Sequence, residues 1–306
     1  MDEMSAESRY ADWIAVHAGQ SDLRAWALAA DGSVRAELTL PSDSAMPEAP
    51  AFEAKLLDTI APWLGQGSTS VLACGLTGLA DLPEAITPVP AKPAERLPIR
   101  VSANDPRLDL LALPGLSQAN PPDLLLGEET EVAGFLAGNP GFDGVLCLVG
   151  PRTVWVQISA EEIVSFQTAM TGEFFDLLAG HSTISAAVAS TGMDAEAFVD
   201  AVSDTLSRPE RLSQRLAALR GQHVLQQLDP SVARSRLFGA LIGAELAAMR
   251  PYWLGQQVAL AGPSDMVDLY ARALDTQGVS APRHASDGLA LAGLARAWFA
   301  MQEHAK

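Results

Sequence analysis

An α/β fold built from two similar domains is predicted by three observations. A β-hairpin with a glycine-containing polar loop occurs twice, once in each half of the chain. The first runs from Trp13 to Leu28 around Ala18-Gly19-Gln20-Ser21-Asp22, and the second from Val145 to Ile158 around Gly150-Pro151-Arg152. Each joins a short apolar run to a second run rich in β-branched and aromatic residues. A third strand is expected after each hairpin, at Val34 to Leu40 and at Ile163 to Phe166. Strand–helix alternation behind the meanders then points to mixed sheets covered by helices. Two unrelated hairpins are the alternative, which spacing alone leaves open.

The elements follow in order. Residues 11–40 read as three strands, Phe52 to Leu64 as a helix, and Ser70 to Cys74 as a buried strand ending in Gly75-Leu76-Thr77-Gly78. Leu82 to Pro114 holds many prolines and is expected to be extended or loop-like, because proline removes ladder donors and helical bonds. Gly127-Glu128-Glu129-Thr130-Glu131 opens a helix, its acids lying where the macrodipole favours negative charge. The second meander fills 144–167. Helices are then expected at Glu173 to Leu178, with Phe174, Leu177 and Leu178 on one face, and at Ala195 to Leu206, Pro209 to Leu228 and Arg234 to Arg250. Gln257 to Ala261 reads as a strand ending at Gly262-Pro263-Ser264, with helices at Asp265–Leu274 and from about Gly288 to Gln302.

At 306 residues the chain has room for two domains. We place them at 10–135 and 140–306, the second with a helical insertion at about 185–250. The formal net charge of −17 argues against nucleic-acid or membrane-surface partners, which need basic patches. Lysine occurs only at Lys55, Lys92 and Lys306, so phosphate neutralisation falls mainly on arginine. Cys74 and Cys147 sit inside apolar runs and are expected to pack as small hydrophobes in a reducing cytoplasm. The acidic N-terminus has no apolar signal core, and no apolar run is long enough to span a bilayer, so a cytoplasmic location is expected.

A βββ-α-β-α order used twice is the layout of the actin-like, hexokinase-like ATPase fold, a ribonuclease H-like architecture with an interdomain cleft. Backbone N–H groups in the two hairpin loops form nests that suit phosphate, and two facing nests would suit the tail of ATP. Fold alone says little about the substrate. Particular segments say more: Ser21-Asp22-Leu23-Arg24-Ala25-Trp26, Gly127 to Glu131, Phe166 to Phe175, His181-Ser182, Leu241 to Leu246 and Leu269 to Leu274. Through these the chain resembles the 2-dehydro-3-deoxygalactonokinase family of sugar-acid kinases over nearly its whole length. The resemblance implies ATP-dependent phosphorylation of 2-dehydro-3-deoxy-galactonate, with Mg²⁺, in galactonate breakdown.

The resemblance also assigns candidate residues. Gly19, Ser21, Arg24, Gly150, Arg152 and Thr153 are expected at phosphate, and Gly262 and Ser264 at the nucleotide. Gly75, Gly78, Glu128, Glu129, Thr171 and Gly172 are expected at the sugar acid. The chain departs from the family pattern at several of these places. The leading carboxylate of the first loop is His17, the second loop carries Pro151 and Arg152 where the family has threonine and histidine, and Leu126 and Gln167 stand where the family has arginine. Asp22 is then the candidate for catalysis and for the metal, Glu173 is the other catalytic candidate, and Arg152 is the substitute for the family lysine. Glu128 and Glu129 remain open between ligand contact and helix-start electrostatics. Glu245, in an apolar helix, is expected to have a hydrogen-bonded structural role.

Losing one electrostatic stabiliser in phosphoryl transfer costs roughly 3–4 kcal/mol. Two functions are therefore carried forward: an active sugar-acid kinase, and a catalytically impaired relative that binds the sugar acid or nucleotide as a regulatory protein. Neither reading fixes the oligomeric state; a homodimer is one option.

Overall fold

The computed structural model describes residues 10–19, 22–41, 49–76 and 86–304. Ser21 and Gly78, both expected at ligands, lie outside the described residues. The chain order is β1 (Trp13–Ala18), β2 (Asp22–Leu28), β3 (Val34–Pro41), α1 (Ala49–Ile60), β4 (Thr69–Cys74), β5 (Thr87–Pro88), β6 (Ile99–Val101), β7 (Leu108–Ala112), β8 (Leu116–Ala119), β9 (Pro122–Leu125), α2 (Glu128–Gly138), β10 (Gly144–Leu148), β11 (Thr153–Ser159), β12 (Glu162–Ala169), α3 (Thr171–His181), α4 (Ala195–Ser207), α5 (Leu212–Gln226), α6 (Pro230–Ala248), α7 (Arg250–Trp253), β13 (Val258–Gly262), α8 (Ser264–Asp275), β14 (Arg283–Ala285) and α9 (Leu289–His304). The contacts divide these elements into two compact units: residues 1–142, 158–165 and 286–306, and residues 143–157 and 166–285.

The first unit is built on a six-stranded sheet of order β3-β2-β1-β4-β7-β6. The β1–β2–β3 meander is antiparallel, whereas β1, β4 and β7 run parallel. Every residue of β1 is buried, as a strand covered on both faces must be. On one face Ile14, Val16, Leu56, Ile60 and Val71 form the core under α1. On the other, Trp13, Trp26 and Leu72 meet α9, with Trp13 and Trp298 stacked at 4.6 Å. Helix α9 also lies against α2, closely enough that a Cβ on Gly293 would fall 2.0 Å from the Thr130 carbonyl oxygen. The last helix thus belongs to the first unit, which corrects the expectation of a second domain running from 140 through to 306.

The proline-rich stretch departs from the sequence reading as well. It contains β6 and β7, and β7 pairs in parallel with β4 from Thr69↔Leu108 to Ala73↔Ala112. Its sequence, Leu-Asp-Leu-Leu-Ala, has no β-branched residue, so local preference did not mark it as a strand; sheet pairing decides it.

The second unit repeats the plan with a five-stranded sheet of order β12-β11-β10-β13-β14, in which β10, β13 and β14 are parallel. Its core gathers Val145, Trp155, Phe198, Leu237, Ile242, Leu260 and Tyr270. Asp194 and Asp229 cap α4 and α6, accepting from the N–H groups of Ala197 and Ser231 at 2.8 Å each. On α3 the buried aromatic is Phe175, while Phe174 and Leu177, on the face the sequence groups with Leu178, are 50% and 49% exposed. Cys74 and Cys147 are both buried free thiols. Among the described residues no helix is long and apolar enough to cross a membrane.

Candidate active-site loops

In each unit the candidate residues gather at the carboxyl ends of parallel strands, the end of an open α/β sheet where ligands bind. In the first unit this end comprises His17 to Gly19 after β1, Gly75 after β4 and the first turn of α2. His17 pairs with Arg24 on β2 and with Cys74 on β4, so the three stand side by side. Arg24 is held on both sides: its Nε donates to Asp22 Oδ2 at 2.8 Å and its Nη1 to Asp287 Oδ1 at 3.2 Å. Asp22 thus starts β2 with one oxygen already engaged by a guanidinium. These bonds raise the Arg24 pKa against a burial effect that lowers it.

Gly75 has φ +82°, and a Cβ there would lie 2.0 Å from the Ala18 carbonyl oxygen. Gly127, at φ +114°, turns the chain into α2 directly over it. The acids of that turn do different work. Glu129 is fully buried and uses both oxygens internally. Its Oε1 accepts from Arg96 Nη2 at 3.2 Å and Thr130 Oγ1 at 3.1 Å, and its Oε2 accepts from the Gly127 N–H at 2.7 Å. Neither oxygen of Glu129 faces solvent, which favours the helix-start side of the choice left open for this acid. Glu128 accepts from the Leu126 N–H at 2.8 Å and is also buried, so the open choice for this acid leans to the helix start.

Glu131, which sequence reasoning did not single out, stands 3.9 Å from His17 Nε2. Burial first, then the negative charge of Glu128, raises its pKa to about 8, while Arg24 pulls the other way and Glu129 and Asp22 add to the rise. Burial lowers His17, against the pull of Asp22 and Glu128. At neutral pH both partners are therefore uncharged, and their contact is not an ion pair. The spacing of Glu128 and Glu131, one helical turn apart, was the available signal for a shared face.

The raised carboxyl makes a stability prediction. Below pH 4.5 Glu131 is protonated in both folded and unfolded chains. Between 4.5 and about 8 only the folded chain keeps the proton, so its contribution falls as pH rises, by at most about 1.4 kcal/mol per unit. Glu131→Gln removes this term. In urea titrations the variant is expected to gain on the wild type between about pH 5 and pH 8; a difference independent of pH contradicts the assignment.

In the second unit the ends of β10 and β13 lie together, Gly262 packing against the Val149 carbonyl. Arg152 is exposed at the loop after β10, and Ser264 is exposed at the start of α8. Gly150 and Gly172 meet across this end, and the Glu173 N–H donates to the Pro151 carbonyl at 2.9 Å. Two expected contacts turn inward instead. The hydroxyl of Thr153 is buried on Tyr270 OH at 2.9 Å, and that of Thr171 donates to Glu245. Both side chains are used inside the unit, so only their backbones remain for a ligand. Glu173 is half-buried on the first turn of α3. Glu245 has the hydrogen-bonded structural place expected of it.

Among the described residues no three His, Cys, Asp or Glu side chains group to hold a metal ion. Magnesium retains waters and commonly takes only one or two carboxylates plus substrate phosphates. Asp22, one oxygen of which is engaged by Arg24, does not by itself supply the ligands of a resident metal cage.

A doubled meander-and-parallel-strand plan with strand-end loops defines the class of actin-like ATPases and sugar kinases. The fold matches the activator of the 2-hydroxyisocaproyl-CoA dehydratase from Clostridium difficile, solved with bound ADPNP, at a TM-score of 0.50 and 10% identity over 96% of this chain and 97% of that one. Residues 13–297 match the family model of 2-keto-3-deoxy-galactonokinase, and the chain belongs to that family. It is 29% identical over 288 residues to the 2-dehydro-3-deoxygalactonokinase of Escherichia coli (strain K12), covering 93% of this chain and 96% of the relative. A crystal structure of a Sinorhizobium meliloti protein bearing the same kinase designation superimposes with a TM-score of 0.84 at 30% identity, over 94% and 96% of the two chains.

Proposed function

We propose that the protein is an ATP-dependent kinase that phosphorylates a hydroxyl of 2-dehydro-3-deoxy-D-galactonate, acting in the cytoplasm in galactonate breakdown. The observation that carries this reading is the family match across residues 13–297. The loops of each unit support it by their chemistry. In the second unit, Gly150, Gly262 and Ser264 offer backbone donors beside helix starts, where anions are stabilised, and Arg152 adds a cation. In the first unit, Gly75 and the start of α2 bring closely approaching backbone suited to the hydroxyls of a sugar acid. Arg24 supplies positive charge there, tempered by Asp22 and Asp287.

Phosphoryl transfer depends on positioning and on neutralising charge on the transferred group. Magnesium bound with the nucleotide would supply part of that neutralisation, with Asp22 as the residue to hold it through the ion's own waters. Within the second unit, Arg152 and the strand-end N–H groups are suited to neutralise phosphate charge. The proposal is tested by ADP release from purified full-length protein with ATP, magnesium and the sugar acid. Release that requires both substrates supports it; release no greater than in a vector-only preparation overturns it.

A further inference from the structure

One carboxylate in the second unit receives hydrogen bonds from three elements at once. Trp155 Nε1, on β11, donates to Glu245 Oε1 at 2.7 Å. Tyr270, on α8, donates to Oε2 at 2.6 Å, and Thr171, the first residue of α3, donates to the same oxygen. Since Tyr270 spends its only O–H on Glu245, the bond between Thr153 and Tyr270 runs from the threonine hydroxyl to the phenol oxygen. Burial raises the Glu245 pKa, and the three donors offset only part of that rise.

Each of these residues adjoins a candidate ligand loop. Thr153 and Trp155 follow Gly150–Arg152, Tyr270 rides on the helix that Gly262–Ser264 opens, and Thr171 begins α3. Packing does not require a carboxylate here: Leu241, Ile242 and Leu246 surround it on α6, and an apolar residue of similar volume would fill the space without the cost of burying charge. What a leucine could not do is hold three donors in fixed relation. Thr171 is the arm with the most consequence. Directly behind it a Cβ on Gly172 would come 2.8 Å from the Gly150 carbonyl oxygen, and the Glu173 N–H is bonded to Pro151. The first turn of α3 and the Gly150–Pro151 loop therefore move together or not at all.

We propose that Glu245 is a positioning residue of the kinase: through Thr171 it sets the first turn of α3, and with it the Gly150–Pro151 loop, in the arrangement that binds ligand. The inference rests on the kinase reading above. A misplacement of reacting groups by about 1 Å costs on the order of a hundredfold in rate, so loosening this arm is expected to lower kcat/KM about tenfold or more.

The test compares wild type, Glu245→Gln, Thr171→Val, Thr171→Ser and the double variant Glu245→Gln with Thr171→Val. Thermal melting is recorded first, and kcat and both KM values are then measured well below each melting temperature. The expected result is a drop of about tenfold in both Glu245→Gln and Thr171→Val, recovery in Thr171→Ser, and a double variant no worse than the poorer single, as for groups acting through one link. If Glu245→Gln does not fold, Thr171→Val against Thr171→Ser decides. Lowered melting temperatures with kcat and KM within about twofold of an active wild type assign the network to stability alone and overturn the inference. A wild type without turnover overturns the kinase reading itself, and the inference with it.

Discussion

Replacing Glu129 by alanine is expected to cost about 3–5 kcal/mol of folding stability, the usual result of stripping one partner from a buried ion pair. The Arg96 side chain is 6% exposed and Glu129 is wholly buried, so water cannot take over the lost contact. The guanidinium would keep only its Nε bond to the Pro93 carbonyl at 3.3 Å, and its Nη1 already has no hydrogen-bond partner. The Gly127 N–H and the Thr130 hydroxyl would lose their acceptor in the same step. Glu129→Gln, which preserves shape, should cost less. Urea denaturation at neutral pH measures both, and a loss below about 1 kcal/mol for the alanine variant would show that Glu129 does not anchor the start of α2.

Gly75→Ala is expected to damage function and stability together. Its φ of +82° disfavours any side chain, and the new methyl would sit 2.0 Å from the carbonyl oxygen of Ala18, against backbone that cannot rotate aside. The ends of β1 and β4 must then part, carrying His17 away from Cys74, its neighbour in the ladder. Gly127 lies on the other side of Gly75, so the start of α2 is pushed as well. Overpacking of this kind costs about 1–3 kcal/mol, and turnover should fall by about a hundredfold. Gly67→Ala is the control: nothing lies within 4 Å of its Cβ, and stability should stay within about 0.5 kcal/mol of wild type. Equal behaviour of the two variants would remove Gly75 from the ligand-binding end of the sheet.

The meanders were legible because Trp13–Ala18 and Val145–Leu148 are apolar runs closed by glycine and polar residues, a local pattern. Helix starts were legible for the same reason at Ala195 and after Gly127, whereas α6 begins at Pro230, ahead of the start read at Arg234. Strand β7 was not, since its leucines carry no periodic signal and only the pairing with β4 makes them a strand. The placement of α9 depended on Trp298 finding Trp13 across almost the whole chain, which no local rule reveals. Among the site residues, Gly75, Gly150 and Gly262 do fall at strand ends, and Gly172 in the first turn of α3. Motif resemblance places Glu129 and Thr171 but does not orient their side chains, which turn inward to Gly127 and Glu245. Arg96 came from a proline-rich segment with no pattern, and Glu131 was passed over beside the two glutamates that precede it.

The departures at His17, Pro151, Leu126 and Gln167 leave one question that stability measurements do not reach. Transfer of label from the γ-phosphate of ATP is the direct measurement. The account predicts labelled, phosphorylated 2-dehydro-3-deoxy-galactonate, formed only when protein and both substrates are present. Label remaining in ATP, while the protein still binds the sugar acid or nucleotide, would contradict a kinase and favour the regulatory relative instead.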